Sequence, residues 1–599
     1  MLAPFESDVV SSELRILIVG GYGVFGARLV DLLEHEPRLT LLVAGRSLAR
    51  ARAACQARAK VSAQVEPVEF DRSEHGAEQL AALRAQVVVD ASGPFQAYGS
   101  QAYRLIEACI AAGVHYLDLA DGSEFVNGVA RMDEAAKAAK VWALAGASSF
   151  PVLTAAVVRR LAQGMLTVES IQGGIAPSPY AGVGLNVIRA IASYAGQPVQ
   201  RQRGGALQLG HPFTEHRRFV INVPGRVPLR STLFSLVDVP DLRALPALWP
   251  GVRSVWMGAG PVPIALHRTL IACAWLVRWR LLPGLSWLAP LMHGVANRVR
   301  WGEHRGGMFV QVNGRGVDGQ AMAREWHLLA EGNDGPLIPC MAVAAMVHRL
   351  LAGHAPAPGA RTAIGELELL DYEALFATRT IHTAVRQTAP AVPAPLFRSL
   401  LGDAFERLPR AVQWAHSVSP GVLSAVAPTQ QLHGRCTVRR GRHPLAWLMA
   451  RLIGFPRAQV DQPITVDMTA HLGGERWLRR MGEQSFSSVQ ALATGRSQGL
   501  LRERFGPMAV DMALVADEHS LRYVVRGWSL FGLAMPRWLG PRSTAVESAA
   551  GNRFVFDVEI RHPLAGLIAH YSGWLHEPAA LTPAQLPGSP AGASSAPTS

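Results

Sequence analysis

An apolar run that breaks into spaced glycines and resumes as a helix is compatible with few folds. In "RILIVGGYGVFGARLVDLL", Arg15 to Leu33, the spacing Gly21-x-Gly23-x-x-Gly26 separates a strand-like run from a stretch with Phe25, Leu29, Leu32 and Leu33 on one face. Each glycine has a task at such a junction. Gly21 permits the tight turn, Gly23 lets the backbone approach a phosphate, and Gly26 lets the helix pack close to the strand. The helix start offers free amides and a positive dipole end to an anion. With a strand before it, a helix after it and a place at the start of a domain, the pattern reads as a dinucleotide-binding turn.

The next hundred or so residues support that frame. "LTLLVAG", "VEPVEFD", "VVVDASG" and "VHYLDLA" are strand-like, and helix-like stretches such as "GSQAYRLIEACIAAG" lie between them. This alternation predicts a Rossmann-type, doubly wound parallel sheet over residues 13–150. About twenty residues past the glycines, a protein that binds NAD places an acid against the ribose 2′-hydroxyl. Here the second strand ends in Arg46 and Ser47. A guanidinium clamps a 2′-phosphate with charge-assisted hydrogen bonds, so the expected cofactor is NADP(H). Asp71 closes the third strand, where it either reaches the adenine edge or holds an ordinary turn. Ser92, Gly93 and Pro94 fall at the carboxyl edge of the sheet, where ligands sit in open α/β folds.

Beyond 150 the chain changes character. Residues 151–386 have mixed α+β patterning, and the Pro/Ala stretch "QTAPAVPAP" marks the next boundary. Residues 395–577 contain alternating runs such as "NRFVFDVEIRH", which predict a mainly antiparallel β domain with one wet face. Residues 578–599 read as a disordered tail. The segment Pro261 to Val295 is apolar but cut by Arg268, Arg278, Arg280, Pro283 and Pro290. A spanning helix needs ~20 consecutive apolar residues, which this segment lacks. Its tryptophans beside arginines fit a helix lying in a membrane interface; a buried helical hairpin or a homodimer contact stays open beside that.

The net charge of +13 invites a nucleic-acid partner, but only three of the 58 basic residues are lysines and no basic run is interleaved with aromatics. A nucleic-acid groove is therefore not expected; the Arg, Ala, Gly and Pro excess resembles the drift of a GC-rich bacterial genome. The five cysteines are too far apart in sequence to form a metal or redox pair, and no His/Asp/Glu spacing suits a metal. The start "MLAPFESDVVSSE" has no basic leader, so a cytoplasmic protein is expected.

Four segments in order, "GGYGVFG", "VVVDASGPFQAYG", "ACIAAGVHYLDLADGSEFV" and "WALAGASSFPVLTAAVV", resemble the NADP-binding domain of saccharopine dehydrogenase-like oxidoreductases. The likeness extends more loosely to about residue 375, which implies a substrate or dimer domain there. "LLGDAFERLP", "HGRCTVRRG", "GGERWLRRM" and "PLAGLIAHYSGWL" resemble an uncharacterised bacterial domain that often follows such oxidoreductases. The resemblance implies that Gly21, Tyr22, Gly23, Val24, Phe25 and Gly26 cradle the pyrophosphate, Arg46 the adenosine phosphate, and Ser92 to Pro94 the nicotinamide region. A Gly-Glu turn common in relatives is replaced by "ADGSEF", leaving Asp121 and Glu124 as two candidates for one acidic position.

Hydride transfer usually needs a proton donor beside the nicotinamide. The catalytic candidates His115, Tyr116 and Asp118, clustered with Asp121, are expected at the end of the fifth strand on the cofactor edge, with His115 or Tyr116 as proton donor; a packed aromatic at Tyr116 and a helix or turn cap at Asp118 stay open beside that. Lys137 and Lys140 read as a solvated face, Asp334 as a turn, and Glu475, Trp477 and Glu503 as cross-strand pairing. The expected function is an NADP(H)-dependent oxidoreductase acting on a small or lipid-like substrate. The alternative is a non-catalytic NADP(H)-binding protein whose β domain meets a partner or ligand.

Overall fold

A computed structural model describes residues 13–58, 61–74, 76–261, 263–388, 395–417, 429–471 and 474–576. The expected tail, most of the Pro/Ala stretch and nearly all of the segment "MLAPFESDVVSSE" lie outside those residues. The chain divides into two compact units, Met1–Val223 with Pro228–Pro390, and Pro224–Val227 with Ala391–Ser599.

The first unit contains a parallel sheet built from β1 (Leu14–Val19), β2 (Leu39–Gly45), β3 (Gln64–Glu69), β4 (Val87–Asp90), β5 (His115–Asp118) and β6 (Trp142–Ala145). A seventh strand, Gly359–Thr362, pairs in parallel with β6, so the order is 359–362, β6, β5, β4, β1, β2, β3. The sequence range 13–150 thus holds six strands, and the seventh arrives from more than two hundred residues downstream. β2 is buried along its whole length and β1 along most of its own, which their unbroken apolar sequences require of strands covered on both faces. The strand order reverses between β1 and β4, with Val19 paired to Ala44 on one side and Asp90 on the other. That reversal opens the crevice where doubly wound sheets bind ligands.

A second, mixed sheet has the order His216–Phe219, Thr232–Leu236, Ser254–Ala259, Met165–Ala176, Gly306–Gly316, Ala321–Ala330, Ile381–Thr388. Of these pairings only Ser254–Ala259 with Met165–Ala176 is parallel. One apolar core runs from Ile16 and Leu29 through Ile171, Phe234 and Trp326. The two halves of this unit therefore fold around a shared interior.

The second unit is an antiparallel β-barrel. Met508–Ala516 pairs with Leu501–Phe505 on one side and Ser520–Leu530 on the other, which closes ten strands into a ring. Full closure leaves no unpaired edge in the ring. Phe397 and His416, both fully buried, stack at 3.8 Å and pack on Trp477 and Phe554 or Tyr523. In "NRFVFDVEIRH", Phe554 and Phe556 are buried while Arg553 and Asp557 are exposed, as period-2 alternation demands.

Candidate functional site

The phosphate turn comes directly after β1. Gly20 takes φ +78°, and a Cβ there would lie 2.9 Å from Ser92 Cα. The tight turn expected of Gly21 thus belongs to its neighbour. Gly21 has a packing role instead, since its Cβ would meet Val43 Cα at 3.0 Å. At Gly26 a Cβ would sit 2.2 Å from the Gly20 carbonyl oxygen, so only glycine lets α1 (Val24–Leu33) start this close to the strand. Gly23 caps α1 without a side chain, and the first helical turn carries no acid. The amides at Val24, Phe25 and Gly26 are thereby left for an anion, which fits a pyrophosphate.

Tyr22 lies across the end of β2, with its hydroxyl accepting from the Ser47 amide at 3.2 Å and its ring filling the space a side chain at Gly45 would need. Ser47 caps α2 (Leu48–Gln56) by accepting from the Arg50 amide at 3.4 Å. The Arg50 guanidinium stands 4.8 Å above the Tyr22 ring. Arg46 is exposed and forms no ion pair among the described residues. Arg46 and Arg50 thus flank the start of α2 at the carboxyl end of β2, residue types that fit a phosphate there. Arg50 escapes sequence reading because its contribution depends on the helix that carries it. Asp71 accepts from the Ser73 amide at 2.9 Å and hydroxyl at 2.5 Å, so it holds a turn.

At the carboxyl end of β4, Asp90 is fully buried. Its Oδ1 accepts from the Ser92 amide at 3.0 Å and hydroxyl at 2.5 Å. Tyr98 places its hydroxyl 2.8 Å from Ser92 Oγ and donates to Asp90 Oδ2 at 3.3 Å. Arg72 balances the carboxylate at 3.4 Å and covers the Tyr98 ring at the same distance. Burial, then the Asp90 charge, holds the Tyr98 phenol far above its ordinary range, so it stays protonated. Asn186, from beyond the first six strands, donates to the Gly93 carbonyl at 2.9 Å. The loop Ser92–Gly93–Pro94 is thus held from both sides. Sequence reading passes over Asp90, Tyr98 and Arg72, although an aspartate ending the run "VVVD" is the available signal.

The three catalytic candidates do not meet at the cofactor edge, contrary to the expectation from the sequence. His115 begins β5 and so lies at the opposite, amino edge of the sheet; its ring stacks on Trp142 at 4.5 Å and its Nδ1 accepts from the Trp142 amide at 3.2 Å. Tyr116 is fully buried in the sheet's core, and burial drives its phenol upward. Asp118 does reach the cofactor edge, but it is also fully buried. Its Oδ1 accepts from the Ala120 amide at 3.0 Å and the Gly146 amide at 2.6 Å, which ties the ends of β5 and β6 together. Burial lifts its carboxyl to about 7. Of the two later acids, Asp121 accepts from Gln96 at 3.0 Å, while Glu124 is exposed. Ser123 donates to Asp238 at 2.7 Å, and burial holds both Asp121 and Asp238 above the usual carboxylate range.

Beside the turn lies a cavity of about 510 Å³ with walls that are mostly apolar. Val24 and Phe25 form one part; Leu270, Leu291 and Met292, from the helices Ile264–Arg278 and Ala289–Arg298, form another. Ser149, Arg28 and His267 are among its polar members. His267 is buried, with Nε2 at 2.8 Å from Ser235 Oγ, and burial pushes its pKa down to about 4, which leaves it neutral near pH 7.

Asp334, Lys137, Glu475, Trp477 and Glu503, also singled out in the sequence, have structural partners. Asp334 accepts from the Thr380 amide at 2.7 Å and Lys137 pairs with Asp133 at 2.6 Å; the Trp477 indole donates to Glu475 at 3.0 Å, along the single strand Gly474–Met481 and not across strands as expected. Arg479 meets Glu503 at 3.2 Å across the intervening strand.

Two family models match the chain: the saccharopine dehydrogenase NADP binding domain over residues 16–144, and a domain of unknown function, DUF4166, over 408–575. No curated protein matches it. Among solved structures, the saccharopine dehydrogenase (L-Glu forming) of Saccharomyces cerevisiae is similar at 13% identity and a TM-score of 0.45, over 63% of this chain and 100% of that one. A probable dehydrogenase of Thermotoga maritima has 11% identity and TM-score 0.30, over 62% of this chain and 98% of that one. Biliverdin reductase of Synechocystis sp. PCC 6803 has 12% identity and TM-score 0.28, over 60% of this chain and 94% of that one.

Proposed function

From a chain that joins a saccharopine dehydrogenase NADP binding domain at 16–144 to a domain of unknown function at 408–575, we propose an NADP(H)-dependent oxidoreductase acting on an apolar, lipid-like substrate. One observation carries the reading. Val24 and Phe25, which open α1 directly after the glycine turn, also wall the apolar cavity. A molecule in that cavity lies against the cofactor site, and apolar walls favour a hydrocarbon over a charged metabolite.

Bound there, NADP(H) supplies or accepts the hydride. The amides of Val24, Phe25 and Gly26 hold the pyrophosphate, Arg46 and Arg50 the 2′-phosphate, and the braced Ser92–Pro94 loop the nicotinamide end. Tyr98, kept protonated by burial and then by the Asp90 charge, orients Ser92 and holds the loop still. Arg28 is the cavity's cation; it donates to the Ala181 carbonyl at 3.1 Å and is placed to meet a polar head on an otherwise apolar substrate.

A fluorescence titration with NADPH and NADH tests the cofactor assignment. Arg46→Ala removes one charge-assisted clamp, which should weaken NADPH by about 1.5–3 kcal/mol, roughly ten- to a hundredfold, and leave NADH unchanged. Equal loss for both cofactors would remove the 2′-phosphate role. The non-catalytic reading keeps one observation in its favour, the burial of Tyr116 and Asp118. NADPH consumption that depends on an added long-chain carbonyl or enoyl compound decides between them.

A further inference from the structure

We propose that the surface between Leu276 and Leu291 docks on an anionic lipid bilayer and opens the cavity toward it. Trp279, Leu281, Trp287 and Leu291 are 61%, 67%, 66% and 64% exposed, a concentration of large apolar side chains that water does not favour. They lie at the end of Ile264–Arg278, in the link after it and at the start of Ala289–Arg298. Arg268, Arg278, Arg280, Arg298 and Arg300 flank them, and no Asp or Glu occurs from residue 242 to 302. None of the five arginines has a carboxylate partner among the described residues; Arg278 donates to the Thr214 hydroxyl at 3.1 Å and Arg300 to the Asn297 carbonyl at 2.9 Å.

Charge chooses the occupant. A second copy docked face to face would set five unpaired guanidinium groups against five more, which opposes a two-fold interface. Anionic headgroups answer the same charges, while tryptophans beside arginines suit the boundary between headgroup and acyl chain. Among the described residues no helix is long and apolar enough to cross a membrane, and an interfacial seat requires none. Leu291 is both a cavity wall and mostly exposed, so it stands at the cavity mouth. The mouth's role rests on the apolar substrate proposed for the cavity: here a chain passes from the bilayer toward Val24.

Vesicle flotation of the full-length protein tests the docking. Vesicles of phosphatidylcholine and phosphatidylserine in equal parts should bind it, and vesicles of phosphatidylcholine alone should bind it at least roughly tenfold more weakly. The pair Trp279→Asp, Trp287→Asp should lose the same order of binding while keeping wild-type NADPH affinity. Arg268→Glu with Arg280→Glu should weaken binding and flatten its dependence on salt. Indifference of the wild type to mixed vesicles overturns the proposal, as does undiminished binding by the tryptophan pair. A wild-type dimer that those substitutions dissociate, with no vesicle binding, assigns the surface to a second copy instead. If the tryptophan pair does not fold, quenching of wild-type tryptophan emission by brominated phosphatidylcholine in mixed vesicles takes its place; no quenching overturns the proposal. Vesicle binding is read without cofactor or turnover, so its failure leaves the hydride-transfer reading standing.

Discussion

Asp241 is completely buried at the start of the helix Asp241–Leu248, and burial lifts its carboxyl to about 7. In the unfolded chain an aspartate ionises near pH ~4. Between those values folding takes up a proton, so its contribution is fully present below about pH 4. Stability then falls by about 1.4 kcal/mol per pH unit and levels near pH 7. Asp241→Asn should remove one proton from that slope, which urea denaturation at several pH values would measure; an unchanged slope would mean the carboxyl ionises in the folded protein. Gly26 is the opposite kind of residue, defined by what it lacks. A methyl there collides with the Gly20 carbonyl oxygen at 2.2 Å, so Gly26→Ala should displace α1 and cost NADPH at least roughly tenfold in affinity. Titration calorimetry checks it, with a normal unfolding midpoint showing that the loss is local.

Elements differ in how much of their role a sequence reveals. The turn at Gly20–Gly26 and the end of β2 at Arg46 are legible because strand, turn and helix are neighbours in the chain. His115 shows where such reading stops. "VHYLDLA" announces a strand, but only its observed first residue places the histidine at the amino edge, a whole strand length from where its chemistry would count. The cavity is less legible still, since Val24, Ile175, Leu270, Leu291 and Pro336 come from five distant segments. In the barrel, one element junction includes a buried polar contact beside its apolar packing. His416, capping the helix Arg410–Ala415, sits 2.5 Å from Glu547 of the strand Arg542–Ala550. Removing one partner of a buried pair costs about 3–5 kcal/mol. Glu547→Ala should therefore lower the barrel's stability by that order, and Glu547→Gln, which keeps an acceptor, should recover part of it in the same denaturation experiment.

The whole chain carries separate interiors, one reaching from Ile16 to Ile381 and another from Leu396 to Leu575. Scanning calorimetry should then resolve two transitions. NADPH at about a hundred times its Kd stabilises what it binds by about 2.7 kcal/mol and should raise only the transition of the first unit, while Glu547→Ala lowers only the other. A single transition shifted by both would show that the units unfold together.

Gly359–Thr362 binds the late part of the first unit's chain to its early part. Its four residues finish a sheet begun more than three hundred residues earlier, pairing with β6 from Trp142 to Ala145. Removing the late segment would leave the parallel sheet with a raw edge at β6. The two halves of the first unit therefore cannot be separated without leaving β6 unpaired, and a graft meant to alter the cavity has to change its walls in place rather than replace the segment that carries this strand.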